Sequence, residues 1–364
     1  MPTEALDECI AQIKGLDGAA MARARARQAE LAKPPGSLGK LEDISVRLAG
    51  IGGGVLYDAG KRCVIIMCSD NGVFEEGVAA TPQSVTLSQA INFTRGITGV
   101  AALAKQFGAD LVVVDVGVNA DVVHPLIRNR KIRKSTWNIA RGPAMTYGEA
   151  VRAVLAGAET AREAARDGYA LLGAGEMGIA NTTTSAAVLC ALTGAAPEKA
   201  AGKGAGLTEA AYKRKIEVVR EAIEVNRPDP GDPMDVLAKV GGFDIAALAG
   251  VFIGGAGAGL PVVIDGFISM VAALAAARLA PLAREYMFAS HSSYEQGFAC
   301  AAQALGVEPC LDLGMRLGEG SGCPIMFAVI DAACAAMRDM GTFAEAEIND
   351  GYLDAIRNGA NFEV

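Results

Sequence analysis

The sequence predicts an α/β fold: a three-layer arrangement built on a parallel, Rossmann-like sheet, with a small helical domain formed from both termini. Three observations predict it. Short, continuous apolar runs alternate with helical patterns along the middle of the chain. Those runs lack the in-and-out alternation of a half-solvated strand, as expected when helices cover both faces of a sheet. The first sixty residues and the last twenty-five or so are helical and charged, with no strand signal.

Buried strands are predicted at R-C-V-I-I-M-C (62–68), L-V-V-V-D-V (111–116), Y-A-L-L-G-A (169–174), L-P-V-V-I (260–264) and Y-M-F-A-S (286–290). Helical patterns are predicted over 39–49, 148–166, 182–192, 214–226 and 267–279. Residues 1–60 with about 340–364 are expected to form the helical domain, and 61–339 the parallel α/β domain. Apolar residues make up 51% of the 364, but aromatic residues only 5%, so alanine and glycine must supply much of the packing.

Composition excludes several functions. A net charge of −8 argues against nucleic acid, whose binding rests on Lys and Arg neutralising phosphates. The run R-N-R-K-I-R-K (128–134) reads as a solvated face. Eight cysteines form no C-x-x-C pair and mostly sit in apolar runs, the pattern of reduced thiols in a cytoplasmic protein. The acidic N-terminus has no apolar signal-peptide core. Residues 245–264 carry no charge, but five glycines and Pro261 favour a buried helix, a glycine loop and a strand over a membrane span. With two histidines, a His-rich metal site is ruled out, and no metal or cofactor is expected.

Ligands of open parallel sheets sit beyond the carboxyl ends of the strands. The loop after the third apolar run, G-A-G-E-M-G-I-A-N-T-T-T-S, matches G-x-G-x-x-G at Gly173, Gly175 and Gly178. A dinucleotide site also wants an acid ending a second strand about twenty residues on, and that region, A-A-P-E-K-A-A-G-K-G, is not a strand. An anion cradle remains, made of glycine-exposed amides, the hydroxyls of Thr182, Thr183, Thr184 and Ser185, and a helix N-terminus. The plainer reading is an N-cap with a threonine cluster. After G-K-G-A-G-L (202–207), Lys213 and Lys215 would either complete a monoanion site or serve as surface charges. Near the C-terminus, L-G-M-R-L-G-E-G-S-G sets Glu319 among Gly318, Gly320 and Gly322, ahead of an apolar helix pattern with Pro324 in its first turn. Such an acid is either a general base or a solvated loop carboxylate.

Seven motifs then occur in order: K-P-P-G-S-L-G-K-L-E (33–42), D-N-G-V-x-E-E-G-V (70–78), N-x-T-R-G-x-T-G-V (92–100), G-A-G-E-M-G-I-A-N-T-T (173–183), D-V-L-x-K-V-G-G-F-D (235–244), L-P-V-V-I-D-G-F (260–267) and R-L-G-E-G-S-G (316–322). Over nearly its whole length the chain resembles the nicotinate mononucleotide:5,6-dimethylbenzimidazole phosphoribosyltransferases of cobamide biosynthesis. The resemblance implies transfer of 5-phosphoribose from nicotinate mononucleotide to an aromatic base, giving an α-riboside phosphate and nicotinate. It also implies a homodimer, or a heterodimer with a paralogue.

By matching motif, Glu319 would be the general base, and Glu176 would lie near the ribose and base. Gly175, Gly178, Asn181, Thr182, Thr183, Gly202, Gly204 and Lys215 would hold the 5′-phosphate, with Lys213 beside them. Thr81 and Gln89 would border the acceptor pocket, with Met315 and Leu317 adding apolar walls. Burial in the glycine loop should raise the pKa of Glu319 and make it a better base near neutral pH. One departure bears on the acceptor: Asn71 stands where many relatives have histidine, near the expected acceptor pocket. Dimethylbenzimidazole or another azole is the leading acceptor, with a phenol close behind. The rival readings are a catalytically silent paralogue supporting an active sister chain and an NAD-dependent oxidoreductase.

Overall fold

The computed structural model describes residues 2–204 and 206–353. Six parallel strands form one sheet: β1 (Arg62–Ser69), β2 (Ala109–Gly117), β3 (Ile127–Asn129), β4 (Leu171–Met177), β5 (Val262–Ile264) and β6 (Met287–Ala289). Their order is β3-β2-β1-β4-β5-β6. The chain therefore builds outward from β1 in one direction, then crosses back and builds outward in the other. The reversal lies between β1 and β4, where Arg62 pairs with Leu171 and Cys68 with Met177. That is where a doubly wound sheet opens a crevice at its carboxyl edge.

Five of the six strands coincide with the apolar runs of the sequence. The exception, β3, is three residues long and runs into the basic stretch 128–134. An edge strand needs few apolar residues, because charges there protect its open edge. The basic run is also more than a solvated face. Arg128 pairs with Glu163 at 2.9 Å, Lys131 with the buried Asp115 at 2.9 Å, and Arg133 with Glu149 at 3.1 Å.

The scarcity of aromatic residues has its counterpart in the helix packing. The Tyr147–Arg166 and Phe243–Gly257 helices meet backbone to backbone: a β-carbon on Gly157 would lie 1.8 Å from the Ala247 carbonyl oxygen, and one on Gly250 1.9 Å from that of Val154. Any larger residue would drive the helices apart. The charge-free stretch from Ile245 is thus a buried helix, a glycine turn and β5. Among the described residues no helix is long and apolar enough to cross a membrane.

The chain divides into two compact units: residues up to Lys14 with Lys61–Met326, and Gly15–Gly60 with the chain from Phe327 onward. This differs from the division expected from the sequence at both ends. The Pro2–Ala11 helix packs against the Tyr147–Arg166 and Phe243–Gly257 helices, so it belongs with the sheet. The C-terminal boundary falls near 327 rather than 340, inside the continuous Gly322–Asp339 helix. In the second unit, Ala24, Leu31, Val46, Ala49 and Met337 form a core, and Leu31 bridges antiparallel to Thr342. Its first motif is held by its own ends, Lys33 pairing with Glu42 at 2.6 Å. Residues 354–364, expected in this unit, lie outside the described residues.

Candidate active site

Beyond the carboxyl ends of β4, β5 and β6 lies a cavity of about 290 Å³. Its wall combines Glu176 and the turn after β4, Asp265 after β5, His291 after β6, and the loop carrying Glu319. Gln89 reaches it from the Ser84–Arg95 helix and Lys215 from the Glu209–Asn226 helix.

Glu319 is 6% exposed and has a left-handed backbone, with φ of 65° between 80° at Gly318 and 85° at Gly320. Three successive positive φ values explain the glycines on either side: they take this conformation without the strain a side chain would add. The carboxylate is held on both oxygens. Oε1 accepts the Gln89 side-chain amide at 2.9 Å, and Oε2 accepts the Val100 N–H at 3.3 Å, at the start of the Gly99–Gln106 helix. Burial pushes its pKa up from the ordinary carboxylate value, as the sequence led one to expect, while the Val100, Gln89 and Gly99 donors pull it back.

Glu176 belongs to a buried acidic network. Burial first, then the nearby Asp244, push its pKa up to about 8, and Asp265 and Glu319 add to the effect. The Asn181 side chain donates to Glu176 and, at 3.0 Å, to Asp244 Oδ2. Asn71 also donates to that Asp244 oxygen, at 3.4 Å, and its own Oδ1 accepts the Thr184 hydroxyl at 3.3 Å. Burial pushes Asp244 up to about 6 and Asp265 up to about 7. No cluster of metal-ligating side chains occurs among the described residues.

At the other side of the cavity, Lys215 is fully buried. Its Nζ donates to Thr182 Oγ1 at 2.8 Å and to the Gly202 carbonyl at 2.9 Å, leaving one of three donors. Burial lowers its pKa to about 8, with Glu295 pulling it back up. Thr182 lies in the first turn of the Asn181–Thr193 helix, so a helix N-terminus, a hydroxyl and an ammonium meet there, a combination suited to an anion.

The residues expected from the sequence are sorted by this geometry. Glu319, Glu176, Thr81, Gln89, Leu317, Gly178, Asn181, Thr182, Gly204 and Lys215 line the cavity. Gly175 and Gly202 stand behind it, the first against the Glu319 backbone and the second as a carbonyl partner of Lys215. Thr183 and Ser185 are buried outside the wall, and their hydroxyls have no hydrogen-bond partner. Lys213 is exposed on the other face of its helix, Met315 is not part of the wall, and Asn71 is sealed into the network with Asp244. Within the 202–207 stretch, Ala205 lies outside the described residues.

Asp265 and Arg316 also line the cavity and Asp244 joins its acidic network, although the sequence did not single them out. Asp265 carried a usable signal, since it is the first residue after an apolar strand. The chance G-x-G-x-x-G match is also explained. Gly173 and Gly175 lie within β4, paired with β1, rather than in a turn open to a pyrophosphate.

A family model described as "Phosphoribosyltransferase" matches residues 13–348. The nicotinate-nucleotide--dimethylbenzimidazole phosphoribosyltransferase of Clostridium perfringens is 53% identical over 97% of this chain and 98% of its own length. The protein of the same name from Escherichia coli is 46% identical over 95% and 96%. A crystal structure of CobT from Thermus thermophilus superposes with a TM-score of 0.88 at 43% identity, covering 92% of this chain and all of that one.

Proposed function

The chain belongs to this phosphoribosyltransferase family, and we propose that it moves 5-phosphoribose from nicotinate mononucleotide to an aromatic base for cobamide synthesis, with Glu319 as general base. One observation carries the reading: a buried carboxylate, Glu319, and a buried ammonium, Lys215, wall the same cavity. The donor's phosphate sits against Lys215, Thr182 and the helix N-terminus. The acceptor sits near Thr81, Gln89 and Leu317, its acidic proton toward Glu319.

The bond between ribose C1′ and the nicotinate ring nitrogen breaks, its electron pair returning to that nitrogen. An acceptor nitrogen bonds to C1′ from the opposite face, which converts the β-nucleotide into the α-riboside. The proton the acceptor sheds passes to Glu319. Positive charge develops on the ribose in the transition state, and Glu176, once the cationic donor has displaced its proton, faces it together with Asp265. Holding both substrates in one small cavity supplies a further part of the rate. Gln89 and the Val100 amide fix the carboxylate that takes the proton, so little reorganisation is needed when it acts.

An azole acceptor is the preferred assignment. Asn71, the residue that opened the phenol alternative, is turned into the Asp244 network and does not line the cavity, so it offers no contact that selects a phenol. We also take the protein to act in the cytoplasm as a homodimer, or as a heterodimer with a paralogue, which light scattering of the purified chain tests. The test of the reaction is a product assay with nicotinate mononucleotide and, in turn, dimethylbenzimidazole, adenine, phenol and p-cresol, read by mass spectrometry. A riboside phosphate formed by the wild type and lost in Glu319→Gln supports the reading. Absence of product with every acceptor sinks it for the isolated chain and favours the silent-paralogue alternative.

A further inference from the structure

We propose that Asp265 is a positioning residue for Glu319: from the end of β5 it clamps the loop that sets the base in place. The inference rests on Glu319 being the base. Asp265 is 2% exposed. Its Oδ2 accepts the Gly320 N–H at 3.0 Å and its Oδ1 the Gly322 N–H at 2.6 Å. Those amides flank Ser321 at the start of the Gly322–Asp339 helix. A carboxylate is stabilised there by the unpaired donors and the helix dipole. Asp265 thus caps, from 55 residues away, a helix whose entry turn is the Glu319 loop.

Asp265 is itself anchored. Its backbone N–H donates to Ser269 Oγ at 3.2 Å, and its carbonyl accepts the Ser290 hydroxyl at 2.9 Å. Glu319, by contrast, sits in a left-handed conformation that a residue with a side chain holds only when its surroundings over-determine it. Gln89 and Val100 fix its carboxylate, and Asp265 fixes the backbone immediately after it. Without the clamp, the carboxylate keeps its chemistry and loses its place.

The experiment is a double-mutant cycle on the full-length enzyme with nicotinate mononucleotide and dimethylbenzimidazole. Asp265→Asn keeps the shape but sets an amide NH2 against one of the two N–H donors. It is expected to lower kcat on the order of a hundredfold, the cost of a misplaced catalytic group, with the KM for nicotinate mononucleotide little changed. The variant combining Asp265→Asn with Glu319→Gln is expected to be no slower than Glu319→Gln alone, because Asp265 acts through Glu319. A general structural defect would instead multiply the two losses. Thermal melting and calorimetric binding of nicotinate mononucleotide establish that each variant is folded. If Asp265→Asn does not fold, Asp265→Ser, which retains a capping oxygen, takes its place in the cycle.

Near-wild-type turnover of the Asp265 variant, or multiplied losses, overturns the inference while leaving the reaction intact. An active Glu319→Gln enzyme overturns the base assignment and this inference with it. An inactive wild type overturns the functional reading on which both rest.

Discussion

Gly175 and Glu319 are packed so closely that a β-carbon on Gly175 would lie 2.6 Å from the Glu319 carbonyl oxygen. The two glycine motifs on either side of position 250 are therefore one feature: the bare backbone of β4 is the floor on which the Glu319 loop rests.

Gly175→Ala should accordingly push the loop away from the strand. The protein is expected to lose about 1–3 kcal/mol of stability, the usual cost of overpacking. Turnover is expected to fall by more than the stability loss explains. Thermal melting together with kcat at saturating substrate separates the two effects. Unchanged kcat would show that the loop does not depend on this contact.

Glu319→Gln removes the proton acceptor while keeping the Gln89 contact within reach. A loss of about 10²–10⁴ in kcat is expected for a general base. Because burial raises the pKa of Glu319 above its ordinary 4.5, wild-type activity should fall as acid protonates it, with an apparent pKa higher than 4.5. A pH–rate profile checks both the position of that acid limb and its disappearance in the variant.

Lys215 should make donor binding weaken at alkaline pH. Its pKa is lowered to about 8, so the ammonium is lost as pH rises through that value, and the KM for nicotinate mononucleotide should climb there. Lys215→Met should raise KM at all pH values and abolish the dependence. The sign for stability is the reverse. Between about 8 and 10.5 the unfolded chain binds the proton that folded Lys215 has given up, so this residue's contribution to folding becomes more favourable as pH rises. Urea titrations of the ligand-free protein across that window measure it.

Glu176, at about 8, holds its proton at neutral pH. A donor carrying a cationic pyridinium ring beside it would lower that value, so binding at pH 7 to 8 should release protons. Calorimetry in buffers of different ionisation enthalpy reads the net number, to which Lys215 adds an opposing uptake when the phosphate binds, and the same number in Glu176→Gln as in the wild type would remove Glu176 from the neighbourhood of the ring. Its raised pKa, with those of Asp244 and Asp265, also fixes a stability trend. The folded protein binds more protons than the unfolded chain, so these groups favour folding most below pH 4 and lose that contribution as pH rises toward 8.

The sequence alone determined the parallel sheet, because strands buried on both faces must be apolar throughout, and that signature survives without knowledge of neighbours. It also pointed to Glu319, since an acid between glycines marks a backbone that has to bend sharply near a ligand. It could not separate Lys213 from Lys215: two residues on a helix point about 200° apart, and only the packing of the Glu209–Asn226 helix decides which faces the cavity. Nor could it show Asn71 turned into the Asp244 network or β3 at the sheet's edge, because each rests on a partner distant in the chain. The clamp between Asp265 and the amides of Gly320 and Gly322 has the same origin. A hydrogen bond across 55 residues leaves no periodicity in the sequence and exists only once β5 and the Glu319 loop have been folded side by side.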